Sequence, residues 1–119
     1  MHDVRLYSKL KDDSSIGIMK LLMEIQHLCP TAPDTLRSFP FRDNDPFTVE
    51  QAPHVFFTGC QPEYQEQLIV QHKSGESMLK LISVPTFAAS RSIVLLDIKT
   101  LQSFELKFGE RLPLNDVKA

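Results

Sequence analysis

The stretch with the most chemical promise is Pro53-His54-Val55-Phe56-Phe57-Thr58-Gly59-Cys60-Gln61-Pro62. It reads as a short, nearly all-apolar strand that stops at Gly59 and turns over a polar tip. Such tips hold metals, phosphates or nucleophiles. For a metal, the soft ligands available are His2, His27, His54, His72, Cys29 and Cys60. A structural zinc site takes four ligands, usually as closely spaced pairs. No CxxC or HxxxH pair occurs, and His54 and Cys60 sit at opposite ends of one strand, about 20 Å apart at strand rise. They cannot share an ion. For nucleophilic chemistry, Cys60 needs a base or a positive field to form thiolate, and Gln61, Pro62 and Glu63 supply neither. For a phosphate loop, Gly17, Gly59, Gly75 and Gly109 are too dispersed. Asp43, Asp45 and Glu50 read as a solvated acidic loop. The expectation is that no residue of this chain is catalytic, cofactor-binding or metal-ligating.

Composition narrows the classes further. The 119 residues make at most one domain, and 42% hydrophobic with 24% charged residues is ordinary for a globular chain. A net charge of −2, with acidic residues accompanying the scattered Lys and Arg, gives no basic face for direct nucleic-acid binding. Two cysteines are too few for a disulfide framework. Reduced thiols in an intracellular protein are favoured over a single bridge. Met1-His2-Asp3-Val4-Arg5 opens no signal peptide, and no apolar run approaches the ~20 residues that cross a bilayer. A soluble cytosolic or nuclear protein without a membrane partner is expected.

The elements that position the tip follow in order. Residues 3–9 can form one or two helical turns with Asp3 as N-cap. The main helix is expected over 14–29. Asp12-Asp13-Ser14-Ser15 caps it and places negative charge at its N-terminus. Its apolar stripe is Ile18, Leu22, Ile25 and Cys29, widened by Met19, Leu21 and Leu28, with Lys20, Glu24 and Gln26 opposite. Pro30 ends it. The stripe suits a helix covering its own sheet better than one filling a partner's groove. Residues 30–53 hold Pro30, Pro33, Pro40, Pro46 and Pro53 and form a long connection without regular structure. Phe39, Phe41 and Phe47 argue for order. They either pin this loop to the core or present it to another protein.

Strands are expected over 54–108. They are the opening strand, Leu68-Ile69-Val70, Met78 to Val84, Ile93 to Ile98, and a last one in which Phe104, Leu106 and Phe108 alternate with Ser103, Glu105 and Lys107. Lys73-Ser74-Gly75-Glu76 marks a turn, and Lys99-Thr100 a tight one. Ile93–Ile98 is apolar enough for burial on both faces. The period of two at the end places the phenylalanine face inward. The picture is α+β: a helix, a proline-rich loop, an antiparallel meander, and a fraying tail over 109–119.

Longer motifs narrow the reading. Cys29-Pro30-Thr31-Ala32-Pro33-Asp34-Thr35-Leu36, Asp45-Pro46-Phe47, Pro53-His54-Val55-Phe56-Phe57-Thr58-Gly59 and Gln61-Pro62 stand in order. With Leu81-Ile82-Ser83-Val84-Pro85-Thr86-Phe87 and Val94-Leu95-Leu96-Asp97-Ile98-Lys99-Thr100-Leu101, they make residues 2–108 resemble the small (B) subunits of eukaryotic DNA polymerase delta. More broadly, the chain resembles the B subunits of replicative polymerases.

The resemblance implies the C-terminal portion of a calcineurin-like phosphoesterase β-sandwich, spanning residues 1–119. It also implies an oligonucleotide/oligosaccharide-binding domain that this chain lacks. Active phosphoesterases close a two-metal site with Gly-His-x-His. Here the loop reads Gly59-Cys60-Gln61-Pro62, with both histidines lost, and delta-type members usually carry Asn at the Cys60 position. A degenerate, non-catalytic turn is implied.

The implied role is a non-catalytic scaffold. It would bind the polymerase delta catalytic subunit and the other delta subunits in the nucleus, and meet DNA only through the assembled complex. Phe39 and Phe41 are the candidate partner contacts. The alternatives are a metal-dependent phosphoesterase borrowing ligands from another chain, and a free-standing protein-interaction domain. Family members are several times longer, so this chain is expected to be a fragment that is poorly soluble alone.

Overall fold

A computed structural model describes residues 2–7, 14–39, 41–71 and 77–109. The expected turn at 73–76 and most of the tail lie outside the described residues. The element order is α1 (His2–Tyr7), α2 (Ser15–Glu24), β1 (Val55–Gln61), β2 (Gln65–Gln71), β3 (Ser77–Pro85), α3 (Phe87–Ser90), β4 (Ser92–Leu96) and β5 (Ser103–Lys107). The architecture is mixed α+β, with a three-stranded sheet ordered β1-β3-β2 and a separate hairpin β4-β5.

Ser14 caps α2 as expected, its hydroxyl accepting the Gly17 amide at 3.0 Å. Such a cap contributes about 1 kcal/mol. Asp3 is not a cap, because it already lies inside α1. The helix ends at Glu24, well before Pro30. Gln26 takes a left-handed φ of 53°. The His27 amide then reaches back to the Leu22 carbonyl at 3.1 Å and the Gln26 amide to that of Met23 at 3.3 Å. That pair of bonds is a Schellman closure with glutamine where glycine is usual. His27 leaves the helix to pair with Thr48 as an isolated antiparallel bridge. The lower end of the predicted stripe therefore falls outside the helix, and Ile25 and Leu28 are exposed.

What α2 buries is two faces. Ile16 and Met19 pack with Leu79 and Leu81, joined by Met23, Phe56 and Ile69. Ile18 and Leu22 pack with Val4 of α1, again touching Phe56. Each fully buried side chain of this size contributes roughly 1.5–3 kcal/mol. Helices thus cover one face of the sheet, as the stripe predicted, though Ile16 was not part of it.

The sheet is not an antiparallel meander. β2 and β3 pair antiparallel, from Gln65↔Ser83 to Gln71↔Ser77. β1 pairs with β3 in parallel, from Val55↔Lys80 to Thr58↔Ser83, and the register then shifts before Gln61↔Pro85. β3 is the strand in which Leu79, Lys80, Leu81, Ile82, Ser83 and Pro85 are all buried. A strand that buries both faces gains most from neighbours on both sides, so it takes the centre. The connection from β1 to β2 crosses its end. There the Thr86 amide donates to the Gln61 carbonyl at 3.0 Å and the Ser83 hydroxyl to the Glu63 carbonyl at 2.8 Å.

The hairpin corrects two further expectations. Ile93 pairs with Leu106 and Leu95 with Phe104, so these four share a face. Leu95 and Phe104 on that face are exposed, as are Ile98 and Phe108. Neither two-sided burial of Ile93–Ile98 nor an inward phenylalanine row holds. The half-buried face is instead Val94 and Leu96 with Ser103 and Glu105. The turn is not tight either, since residues 97–102 join the strands. Asp97 orders that loop, its carboxylate accepting the Lys99 amide at 2.8 Å. The short helix α3 has no counterpart in the sequence-based expectations. It closes on Arg91 in the left-handed region.

Candidate functional site

The turn over residues 59–62 closes β1. β1 does not stop at Gly59 but runs through an irregularity to Gln61. Cys60 sits at the irregularity with a φ of 56° and its side chain exposed. Gly59 has open space where a side chain would begin. Gln61 turns inward and is buried. Its side-chain amide donates to the Gly59 carbonyl at 2.8 Å, and its Oε1 accepts the Ser15 hydroxyl at 3.0 Å. Ser15 Oγ in turn accepts from the Arg5 guanidinium at 3.4 Å. The residue that follows the tip therefore ties β1 to the start of α2. It faces the protein and not a ligand. Pro62 is exposed. Cys29 and Cys60 are both free thiols. Among the described residues, no group of three or more His, Cys, Asp or Glu is placed to hold a metal ion.

The proline-rich loop is the second candidate. The His27↔Thr48 bridge is made by two backbone bonds, the Leu28 amide donating to the Phe47 carbonyl at 2.9 Å and the Val49 amide to the Gln26 carbonyl at 2.8 Å. These bonds close a neck, so the loop leaves and returns at one place. Asp45 Oδ1 accepts the Phe47 amide at 2.9 Å, and its Oδ2 lies 2.8 Å from His27 Nε2. Those two bonds, the His27 one foremost, hold the Asp45 carboxyl below its ordinary value. Phe47 is half-buried and tilts on His27, with centroids 6.2 Å apart. It is the phenylalanine that pins the loop. Phe39 and Phe41 pin nothing to the core. They are 74% and 54% exposed and meet edge to face at 5.3 Å. Beside them lies a hollow of about 500 Å³ that also touches Arg42, Asp43 and Phe47.

A third feature joins the sheet to the hairpin. Lys80 is buried on the face away from the helices and meets Glu66 at 2.8 Å. The Tyr64 hydroxyl donates to Glu66 at 2.8 Å and lies 3.0 Å from the Ser103 hydroxyl, which also donates to Glu66. Burial first, then the nearby carboxylates, push the Tyr64 hydroxyl up to about 12. Next to this latch a mainly apolar cleft of about 570 Å³ separates the sheet from the hairpin, with Phe57, Ile82, Val84 and Phe87 among its walls.

Of the residues singled out from sequence, the structure brings Gly59 and Gln61 into one bonded turn and Phe39 and Phe41 into one exposed pair. The two groups lie on different elements. Sequence reasoning took His27 only as a candidate metal ligand and Asp45 only as part of a solvated acidic loop, and missed their pairing. The signal available was local: Asp45-Pro46-Phe47 has the spacing at which an aspartate accepts the amide two residues on. The pairing of His27 across the loop had no such signal.

The family profile of the DNA polymerase alpha/epsilon B subunit matches residues 5–66, which include the loop and β1. The "DNA polymerase delta small subunit" of Saccharomyces cerevisiae is 37% identical over 99 residues, covering 82% of this chain and 20% of that protein. The protein of the same description from Arabidopsis thaliana is 36% identical over 111 residues, covering 92% of this chain and 24% of that protein. The "DNA polymerase delta subunit 2" of Drosophila melanogaster is 31% identical over 98 residues, covering 82% and 22%. This chain thus spans about a fifth to a quarter of the length of these curated relatives. With a family profile over more than half of the chain, and the relatives aligned over most of it, the chain belongs to the DNA polymerase alpha/epsilon B-subunit family.

Proposed function

We propose that this chain is a non-catalytic accessory piece of DNA polymerase delta that docks on the catalytic subunit and supports DNA replication in the nucleus. The observation that carries the reading is the Phe39–Phe41 pair, standing in water on a loop whose neck is closed. Two large exposed aromatics held in place lose little freedom on binding, and aromatics are enriched at protein interfaces. The relatives' descriptions as small subunits of DNA polymerase delta support a partner within that complex. DNA would be met only through the assembled complex, because a net charge of −2 gives this chain little attraction of its own. The inward Gln61 turn takes a structural part in this reading, and the sheet corresponds to the C-terminal portion of a phosphoesterase-like β-sandwich.

Co-expression with the polymerase delta catalytic subunit tests the proposal. Phe39→Ala with Phe41→Ala is expected to weaken retention by roughly 30-fold, the size of one interface hot spot. Thermal unfolding of the chain is expected to stay within about 0.5 kcal/mol, as for exposed positions generally. Undiminished retention of the double variant would remove the loop from the interface. Failure of the wild-type chain to be retained at all would remove the assembly itself.

A further inference from the structure

We propose that His27 is the positioning residue of the Phe39–Phe41 loop, acting as a neutral imidazole with its proton on Nε2. The inference rests on the docking role proposed above, and its geometry stands independently of that role. The Cys29 amide lies 3.2 Å from Nδ1. A backbone amide only donates, so Nδ1 must present a lone pair. The ring proton is therefore on Nε2, which stands 2.8 Å from Asp45 Oδ2 and donates to it. One side chain thus ties the outgoing arm of the loop, at Cys29, to its returning arm, at Asp45.

The other protonation states fail on geometry. A proton on Nδ1 faces the Cys29 N–H, and a bare Nε2 then faces a carboxylate oxygen. A doubly protonated ring keeps Asp45 and loses Cys29. Asp45 is itself aimed by the Phe47 amide on its other oxygen, and the Phe47 ring leans on the imidazole. Apart from this clasp, the neck consists of the two backbone bonds of Leu28 and Val49 that make the His27↔Thr48 bridge. The described residues of the loop beyond contain no helix or strand. Loss of the clasp leaves the two arms to those backbone bonds alone and loosens the placement of the two phenylalanines.

The test uses the full chain, labelled with nitrogen-15 at histidine, and three variants. Long-range proton–nitrogen spectra at neutral pH are expected to show His27 protonated at Nε2 and bare at Nδ1. Any other pattern overturns the inference. H27Q keeps a donor toward Asp45, H27N keeps an acceptor for the Cys29 amide, and H27F keeps only the ring against Phe47. Amide exchange at Leu28 and Val49 is expected to accelerate roughly three- to tenfold in H27Q and in H27N, and by more in H27F. Retention on the polymerase delta catalytic subunit is expected to weaken in the same order. Unchanged exchange in H27F, or faster exchange with unchanged retention, overturns the positioning role. If H27F does not fold, the two single-arm variants decide the matter by the same readouts. A wild-type chain that is not retained, yet shows the expected tautomer and exchange, would locate the failure in the docking role and not in the clasp.

Discussion

Cys60 stands in the left-handed region with its thiol in water. For most residues with a Cβ this conformation costs roughly 1–2 kcal/mol, whereas glycine, without a Cβ, and asparagine, whose short polar side chain bonds locally, visit it more readily. Cys60→Asn is therefore expected to stabilise the chain by about 1 kcal/mol, read as a raised urea midpoint at unchanged slope. An equal or lower midpoint would show that the backbone there is not strained. At this scale the sequence is legible where partners are near in the chain. The Ser14 cap and the Asp45–Phe47 turn act within three residues. The bond from Ser15 to Gln61 spans 46 residues. Nothing local distinguishes an inward glutamine from an outward one, so the turn was legible in the sequence and its structural task was not.

The hairpin is held to the sheet by polar groups as well as by apolar contact. Burial alone pushes the Glu66 carboxyl up, but the Lys80 ammonium and the hydroxyls of Ser103 and Tyr64 outweigh it and hold Glu66 below its ordinary 4.5. A carboxylate with a depressed folded value contributes stability that is fully present above its unfolded value and lost as pH falls through the folded one. Hairpin docking is therefore expected to weaken as pH drops below 4.5, measured by amide exchange in β4 and β5. Glu66→Gln should already be weakened at neutral pH and show no further step. An acid step that survives in this variant would mean that another carboxyl holds the hairpin. Element existence was largely legible, because apolar periodicity marks α2, β2, β3, β4 and β5. Element limits were not. Gln26 ends α2 by backbone geometry that few non-glycine residues adopt, so the eye passes on to Pro30.

On the scale of the molecule, the helices cover one face of the sheet and the hairpin covers only part of the other. Phe57 is 67% exposed, and Leu68, Val70 and Met78 are exposed as well. On β2 and β3, Leu68 pairs with Lys80 and Val70 with Met78, on the face away from the helices. The hairpin adds Leu95 and Phe104. The outer sides of β1 and β2 pair with no other strand among the described residues. Apolar surface and open strand edges of this extent favour association. The isolated chain is expected to form oligomers at micromolar concentration by light scattering, and Phe57→Lys with Leu95→Lys to shift it toward monomer. A monodisperse wild-type monomer with one cooperative melt would refute this.

The sequence by itself determined the helix cap, the strand-rich second half and the family resemblance. Each is carried by residue types and short spacings. Tertiary structure alone decided that β3 lies between β1 and β2, that β1 runs parallel to it, that Gln61 faces inward, and that His27 closes the loop. Those facts depend on which distant backbone and side-chain groups find partners, and a strand's own pattern states that it will pair without naming its neighbour.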